Sequence, residues 1–157
     1  MQLKQFLLET FEFNSNTNKK VLEKLHHLDD REACIRLFSH LINSQYKWMA
    51  RIMHDANAIQ MDWWLPEYRL DDLEDQWNQS LQPWLDYINS KTEEELCTEI
   101  EFTGYDGGRW AATAKDIALQ LNYHSIHHRA QMQSMIRQQG LQPDFVDYIG
   151  TKYRKLD

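Results

Sequence analysis

The chain has 157 residues, enough for one domain burying roughly 70% of its unfolded surface. Its net charge of −7 and pI near 5.4 weigh against a phosphate-binding surface and so against nucleic acid as a partner. No apolar run approaches the length of a membrane span, and Met1-Gln2-Leu3-Lys4-Gln5 lacks the apolar segment of a signal peptide, so a cytoplasmic protein with no membrane partner is expected.

Five glycines and three prolines leave long uninterrupted stretches of helix-period patterning, which predicts an all-α fold with four long helices. The first covers residues 2–26, its polar middle Asn14-Ser15-Asn16-Thr17-Asn18 being its weakest stretch. Asp29 as N-cap with Glu32 three residues on starts the second, which runs to Ala56. The link over 57–70 is long for antiparallel neighbours and favours a crossover that leaves helices two and three parallel. Helix three spans 71–90, with Pro83 expected to kink it. Residues 97–103 alternate like a strand, and Tyr105-Asp106-Gly107-Gly108 supplies a turn before Arg109-Trp110-Ala111, which reads as a small hairpin. Thr113 with Asp116 as a capping box opens helix four over 114–139, and Gly140 closes it. Cys34, on an apolar stripe, and Cys97, in the strand-like segment, read as reduced packing residues.

Helix four carries His124-Ser125-Ile126-His127-His128. At i and i+4, His124 and His128 face the same way, with β-carbons about 5–6 Å apart. They fall on one stripe with Ile117, Leu121, Met132 and Met135, where a core would place leucine. One histidine on such a stripe is ordinarily a hydrogen-bonded packing residue. Two must each match a lone pair and an N–H away from water, which makes a shared metal ion an equal reading. His127 lies about 100° round the helix. A third ligand would come from another helix. His40, among Leu37, Phe38, Leu41 and Ile42 on the flank of helix two's apolar stripe, can reach an interhelical cleft, although taken alone it reads more readily as packing. His26, His27 and His54 read as surface or helix-end residues. Asn122, Tyr123 and Arg129 turn off the stripe, Arg129 as a structural ion-pair partner, and no catalytic acid or base stands out. Met61-Asp62-Trp63-Trp64-Leu65-Pro66 is either packing of the crossover or an aromatic lid over the cleft.

Two motifs combine here: His40-Leu41-Ile42-Asn43-Ser44-Gln45-Tyr46-Lys47-Trp48, and far downstream Asn122-Tyr123-His124-Ser125-Ile126-His127-His128-Arg129-Ala130-Gln131. With the tail pieces Ile136-Arg137-Gln138-Gln139-Gly140, Pro143-Asp144 and Asp147-Tyr148-Ile149, the chain resembles the DinB/YfiT-like superfamily of metalloenzymes over nearly its whole length. The resemblance implies a four-helix bundle of up-down-down-up connectivity. It also implies one divalent ion, nickel or zinc, held by His40, His124 and His128. The chain departs from common family usage in carrying Ser125 and Ala130, where an acidic residue and a glycine are frequent. Relatives include thiol-dependent transferases and isomerases, so a thiol-dependent S-transferase with a low-molecular-weight thiol cosubstrate, or a metal-dependent hydrolase, is implied. A non-catalytic metal- or small-molecule-binding bundle is the alternative. Three histidine ligands would leave a coordination position open to a small-molecule substrate. Ser125 beside the first histidine excludes the H-E-x-x-H protease mechanism. The single E-x-x-H, Glu23-Lys24-Leu25-His26, excludes a ferritin-like di-iron site. A homodimer formed through an exposed helix face is a further expectation.

Overall fold

The computed structural model describes residues 2–156. Four long helices, α1 (Leu3–Leu25), α2 (Glu32–Ile52), α3 (Leu73–Ser90) and α5 (Ala114–Gln138), are joined by a single-turn helix α4 (Glu93–Leu96) and a hairpin of β1 (Glu99–Thr103) and β2 (Arg109–Thr113). Short 3₁₀ turns cover Leu70–Asp72 and Tyr148–Thr151. The strands pair antiparallel, Ile100 opposite Ala112 and Phe102 opposite Trp110. The chain is thus mostly helical with one small two-stranded sheet, and no described helix is long and apolar enough to cross a membrane.

Several local expectations are corrected by where the hydrogen bonds go. Asp29 does not cap α2: Arg31 stands at the N-cap with no side-chain bond. The preceding loop is instead tied to the end of α5, the Asp30 N–H donating to Gln139 Oε1 at 3.0 Å. The same helix ends at Ile52 rather than Ala56, because His54 adopts a left-handed φ of 54°. The Asp55 N–H then donates back to the Ala50 carbonyl at 2.9 Å, closing the helix in the way a residue past a C-cap does. At the start of α5, Thr113 Oγ1 accepts from the Asp116 N–H at 3.1 Å while its own hydroxyl donates to Asp116 Oδ2 at 2.7 Å, so the reciprocal half of the capping box is missing. A complete box sits on α4 instead, between Thr92 and Glu95. Cys97 lies at the C-cap of α4, exposed and outside the strand, whereas Cys34 is buried; both are free thiols. Gly140, at φ 80°, does close α5.

Helix α5 packs against both α1 and α2, and α3 packs against the same two. Apolar side chains gather in two clusters. One includes Leu22, Leu25, Phe38, Trp77, Met132 and Ile136; the other includes Leu7, Phe11, Trp84, Ile88, Ala118 and Leu121. Because α5 is covered on two sides, its buried arc is wider than one stripe, and Asn122, Ser125 and Arg129 are buried rather than turned away. The polar middle of α1, apart from exposed Asn16, is buried with them. Arg129 donates to Asn14 Oδ1 at 2.8 Å and to Asn18 Oδ1 at 2.7 Å. Asn18 Nδ2 donates to Ser125 Oγ at 2.7 Å, and Trp77 Nε1 donates to Ser15 Oγ at 3.0 Å. Arg129 therefore has amide partners where an ion pair was expected. Its burial lowers the guanidinium pKa to about 10.

Candidate metal centre

His40 on α2 and His124 and His128 on α5 come together in the structure, their candidate ligand atoms all within 4.8 Å of one another. His124 Nε2 is the middle atom, 3.1 Å from His40 Nε2 and 2.9 Å from His128 Nε2. The three rings stand nearly perpendicular to one another, at 82–85°. His127, exposed on the flank, stays out of this group, and so do exposed His26, His27 and His54.

Two oxygen atoms fix what these nitrogens can do. His40 Nδ1 lies 2.7 Å from the Trp63 carbonyl oxygen, and His128 Nδ1 lies 2.7 Å from Gln131 Oε1. A carbonyl oxygen only accepts, so both Nδ1 atoms carry the proton and both Nε2 atoms present lone pairs inward. Neutral His124 can direct at most one Nε2 proton at one of them. At least one contact near 3 Å is therefore left without a proton between its nitrogens, an arrangement that a cation relieves and a hydrogen-bonded core does not require. The two spacings through His124 also suit an ion: metal–nitrogen bonds of about 2.05 Å put adjacent ligand atoms about 2.9 Å apart at 90° and about 3.4 Å apart at tetrahedral angles. The residues present thus fit a divalent metal.

Electrostatics point the same way. Burial, reinforced by His128, His40 and His127, pushes the His124 pKa from 6.5 down to about 4. Burial also lowers His40, opposed by its bond to Trp63, and lowers His128, opposed by its bond to Gln131. All three imidazoles are neutral at physiological pH, the protonation state that binds metal.

The crossover supplies the outer wall. Trp64 stacks on His40 with centroids 3.9 Å apart at 10°, and the Arg36 guanidinium carbon lies 5.3 Å from the centroid of the same indole. Asn43 Nδ2 donates to the Pro66 carbonyl at 3.1 Å, and Asp62 Oδ1 accepts from the Trp64 and Leu65 N–H groups. The segment 61–66 is thus both packing for α2 and a roof over the histidines. Beside it a cleft of about 240 Å³ is lined by His40, Ser44, Trp48, Trp63, Gln120, Leu121 and His124. Apart from the histidines, none of these lining groups titrates near neutrality. Tyr123 is exposed and Asn122 spends its N–H₂ on the Ala118 carbonyl at 2.9 Å; neither lines the cleft. Ser125 turns to Asn18, away from the ring nitrogens, so an acidic residue in its place would face α1. Sequence reasoning passed over Gln131 and the Trp63 carbonyl. A glutamine three residues after a histidine on a helix is a usable signal; a loop carbonyl has none.

No curated protein and no solved structure matches the chain. A family model described as DinB family matches residues 1–155, and the chain belongs to the DinB family.

Proposed function

We propose that this DinB-family chain is a metalloprotein that binds one divalent ion, nickel or zinc, through the Nε2 atoms of His40, His124 and His128. We further propose that it acts as a thiol-dependent S-transferase or a metal-dependent hydrolase on a small molecule. The observation that carries the reading is the inward convergence of three ring nitrogens, two of them fixed as lone-pair donors by bonds at Nδ1. A bound ion supplies Lewis acidity at its open positions, for a thiol or for water. The chain's own part is to fix the ring tautomers through Trp63 and Gln131, to shield His40 with Trp64, and to offer a mostly apolar cleft. That cleft lines up no carboxylate, lysine or cysteine to serve as a general base. A thiol gives its proton to solvent far more readily than water does, with an ordinary pKa of about 8.5 against about 15.7, so the lack of a base favours the transferase over the hydrolase.

Fold-level features support the same assignment. Phe38 packs on Trp77 with centroids 5.6 Å apart, and Trp84 Nε1 donates to the Gln45 carbonyl at 3.0 Å. Rising numbers on α2 thus meet rising numbers on α3, in keeping with a parallel pair joined by the long crossover and with an up-down-down-up bundle as one domain.

Elemental analysis of untagged protein tests the metal directly. About one equivalent is expected in the wild type and in His127→Ala, and little in His40→Ala, His124→Ala or His128→Ala. Retention by His128→Ala with loss in His127→Ala would overturn the ligand set. For the reaction, a cobalt- or nickel-substituted site should change its absorption when a low-molecular-weight thiol is added, and not in His124→Ala. No response to any such thiol, with the metal in place, would favour the hydrolase or the non-catalytic alternative.

A further inference from the structure

Beyond the histidines, α2 carries two more buried functional groups on the side facing the crossover and the hairpin: Lys47 and Arg51, only 6% and 9% exposed. Buried cations normally pair with carboxylates. Among the described residues neither does. Lys47 donates to the Met61 carbonyl. The Arg51 guanidinium makes no hydrogen bond among the described residues; its carbon lies 4.6 Å from the Trp48 ring centroid and 5.0 Å from those of Trp63 and Phe102. Aromatic rings attract the charge but take up none of the five N–H donors of the fork.

The carboxylates nearby are already engaged. Asp62 accepts two backbone N–H groups, Glu101 is held by Arg109, and Asp55 accepts from the Asn57 N–H at 2.8 Å. Lys47 and Arg51 both line a cavity of about 380 Å³ between residues 59–64 and the end of β1, with Asp62 as its one carboxylate. An excess of positive charge, a preorganised guanidinium and adjoining indoles make a receptor for an oxyanion attached to a small organic body.

We propose that this cavity binds the carboxylate or phosphate group of a small-molecule ligand, with the Arg51 fork and the Lys47 ammonium as donors. Trp63 walls both this cavity and the cleft beside His40 and His124. The cavity is therefore placed to hold the anionic end of a molecule whose other end enters that cleft, a clause that rests on the metal reading.

Titration of the full-length protein with inorganic phosphate and, separately, with succinate in low-chloride buffer tests the site, read by the NMR shifts of the Arg51 Nε–H and the Trp63 indole N–H. Saturable shifts are expected with at least one probe, and the better probe identifies the group. Arg51→Lys and Lys47→Met should each weaken binding at least tenfold. His124→Ala, which removes a proposed metal ligand but no cavity residue, should bind as the wild type does. Thus failure of the metal reading leaves this result intact. The absence of a saturable shift in the wild type with both probes overturns the proposal without any variant having to fold. Wild-type affinity in both cation variants overturns it as well.

Discussion

In metal-free protein the histidine cluster should make stability depend on pH through His124 above all. Burial and the neighbouring imidazoles hold its folded pKa near 4, against an ordinary value of 6.5. The unfolded chain therefore binds this proton more readily than the folded one. The stabilising contribution is fully present above about pH 6.5, declines as pH falls, and is gone once pH passes below about 4. The interval from 6.5 to about 4 corresponds to on the order of 3 kcal/mol, which for a chain of this length lowers the melting temperature by roughly 10 °C. Urea unfolding of chelator-treated wild type and His124→Leu between pH 7.5 and 4 measures it. The variant keeps an apolar side chain beside Leu121 but loses the titration, so its stability relative to wild type should rise by about that amount as pH falls. His40 and His128, lowered in the same direction, remain in both proteins. Parallel pH profiles for the two would refute the electrostatic reading of the cluster.

Three other outcomes are expected. Gln131→Leu removes the acceptor that orients His128, so metal affinity in a chelator competition should fall about 10- to 100-fold with the ion still bound at saturation; unchanged affinity would deny Gln131 this role. With free metal at about a hundred times its dissociation constant, the gain in stability should be about 2.7 kcal/mol at pH 7.5. A chelator should then lower the melting temperature by several degrees at that pH and hardly at all in strong acid, where protons have displaced the ion. Equal melting at pH 7.5 in protein shown to hold metal would contradict this. Arg129→Met strands the buried Asn14 and Asn18 carboxamide oxygens and should cost on the order of 3 kcal/mol in urea unfolding at neutral pH. A loss below about 0.5 kcal/mol would mean that water replaces the guanidinium.

Much of the scaffold was legible because periodicity and punctuation act locally. The long helices, the hairpin and the Gly140 stop each follow from residues within a few positions of one another. The i, i+4 histidine pair was legible for the same reason, since spacing alone puts two rings on one face. His40 became distinctive only beside the downstream motif, because nothing in Phe38-Ser39-His40-Leu41 separates a ligand from a packing histidine. What local patterning could not carry was burial decided by two neighbours at once. Asn122, Ser125 and Arg129 sit off the apolar stripe that faces α2, yet α1 covers them. Asp29 had the right chemistry for an N-cap, but the adjacent Asp30 backbone bonded to Gln139, 109 residues away, and the helix began elsewhere.

The stretch of α1 that looked least helical bears on how the site is held. Asn14 and Asn18 are one turn apart and bond one guanidinium, while Asn18 also reaches Ser125. On α5, Ser125 and Arg129 each follow a member of the histidine pair by one residue, so these bonds act on the same turns that carry His124 and His128. An apolar contact would tolerate small rotations of α5 about its axis. Directional bonds from two successive turns tolerate far less, since each has a preferred distance and angle. Rotating α5 enough to shift His124 Nε2 by a fraction of the 3.1 Å that separates it from His40 Nε2 would strain buried bonds with no water to replace them. The low helix propensity of the asparagines is thus offset by their role in the core. The angular setting of the histidines is held from the side of α5 that the histidine cluster does not use.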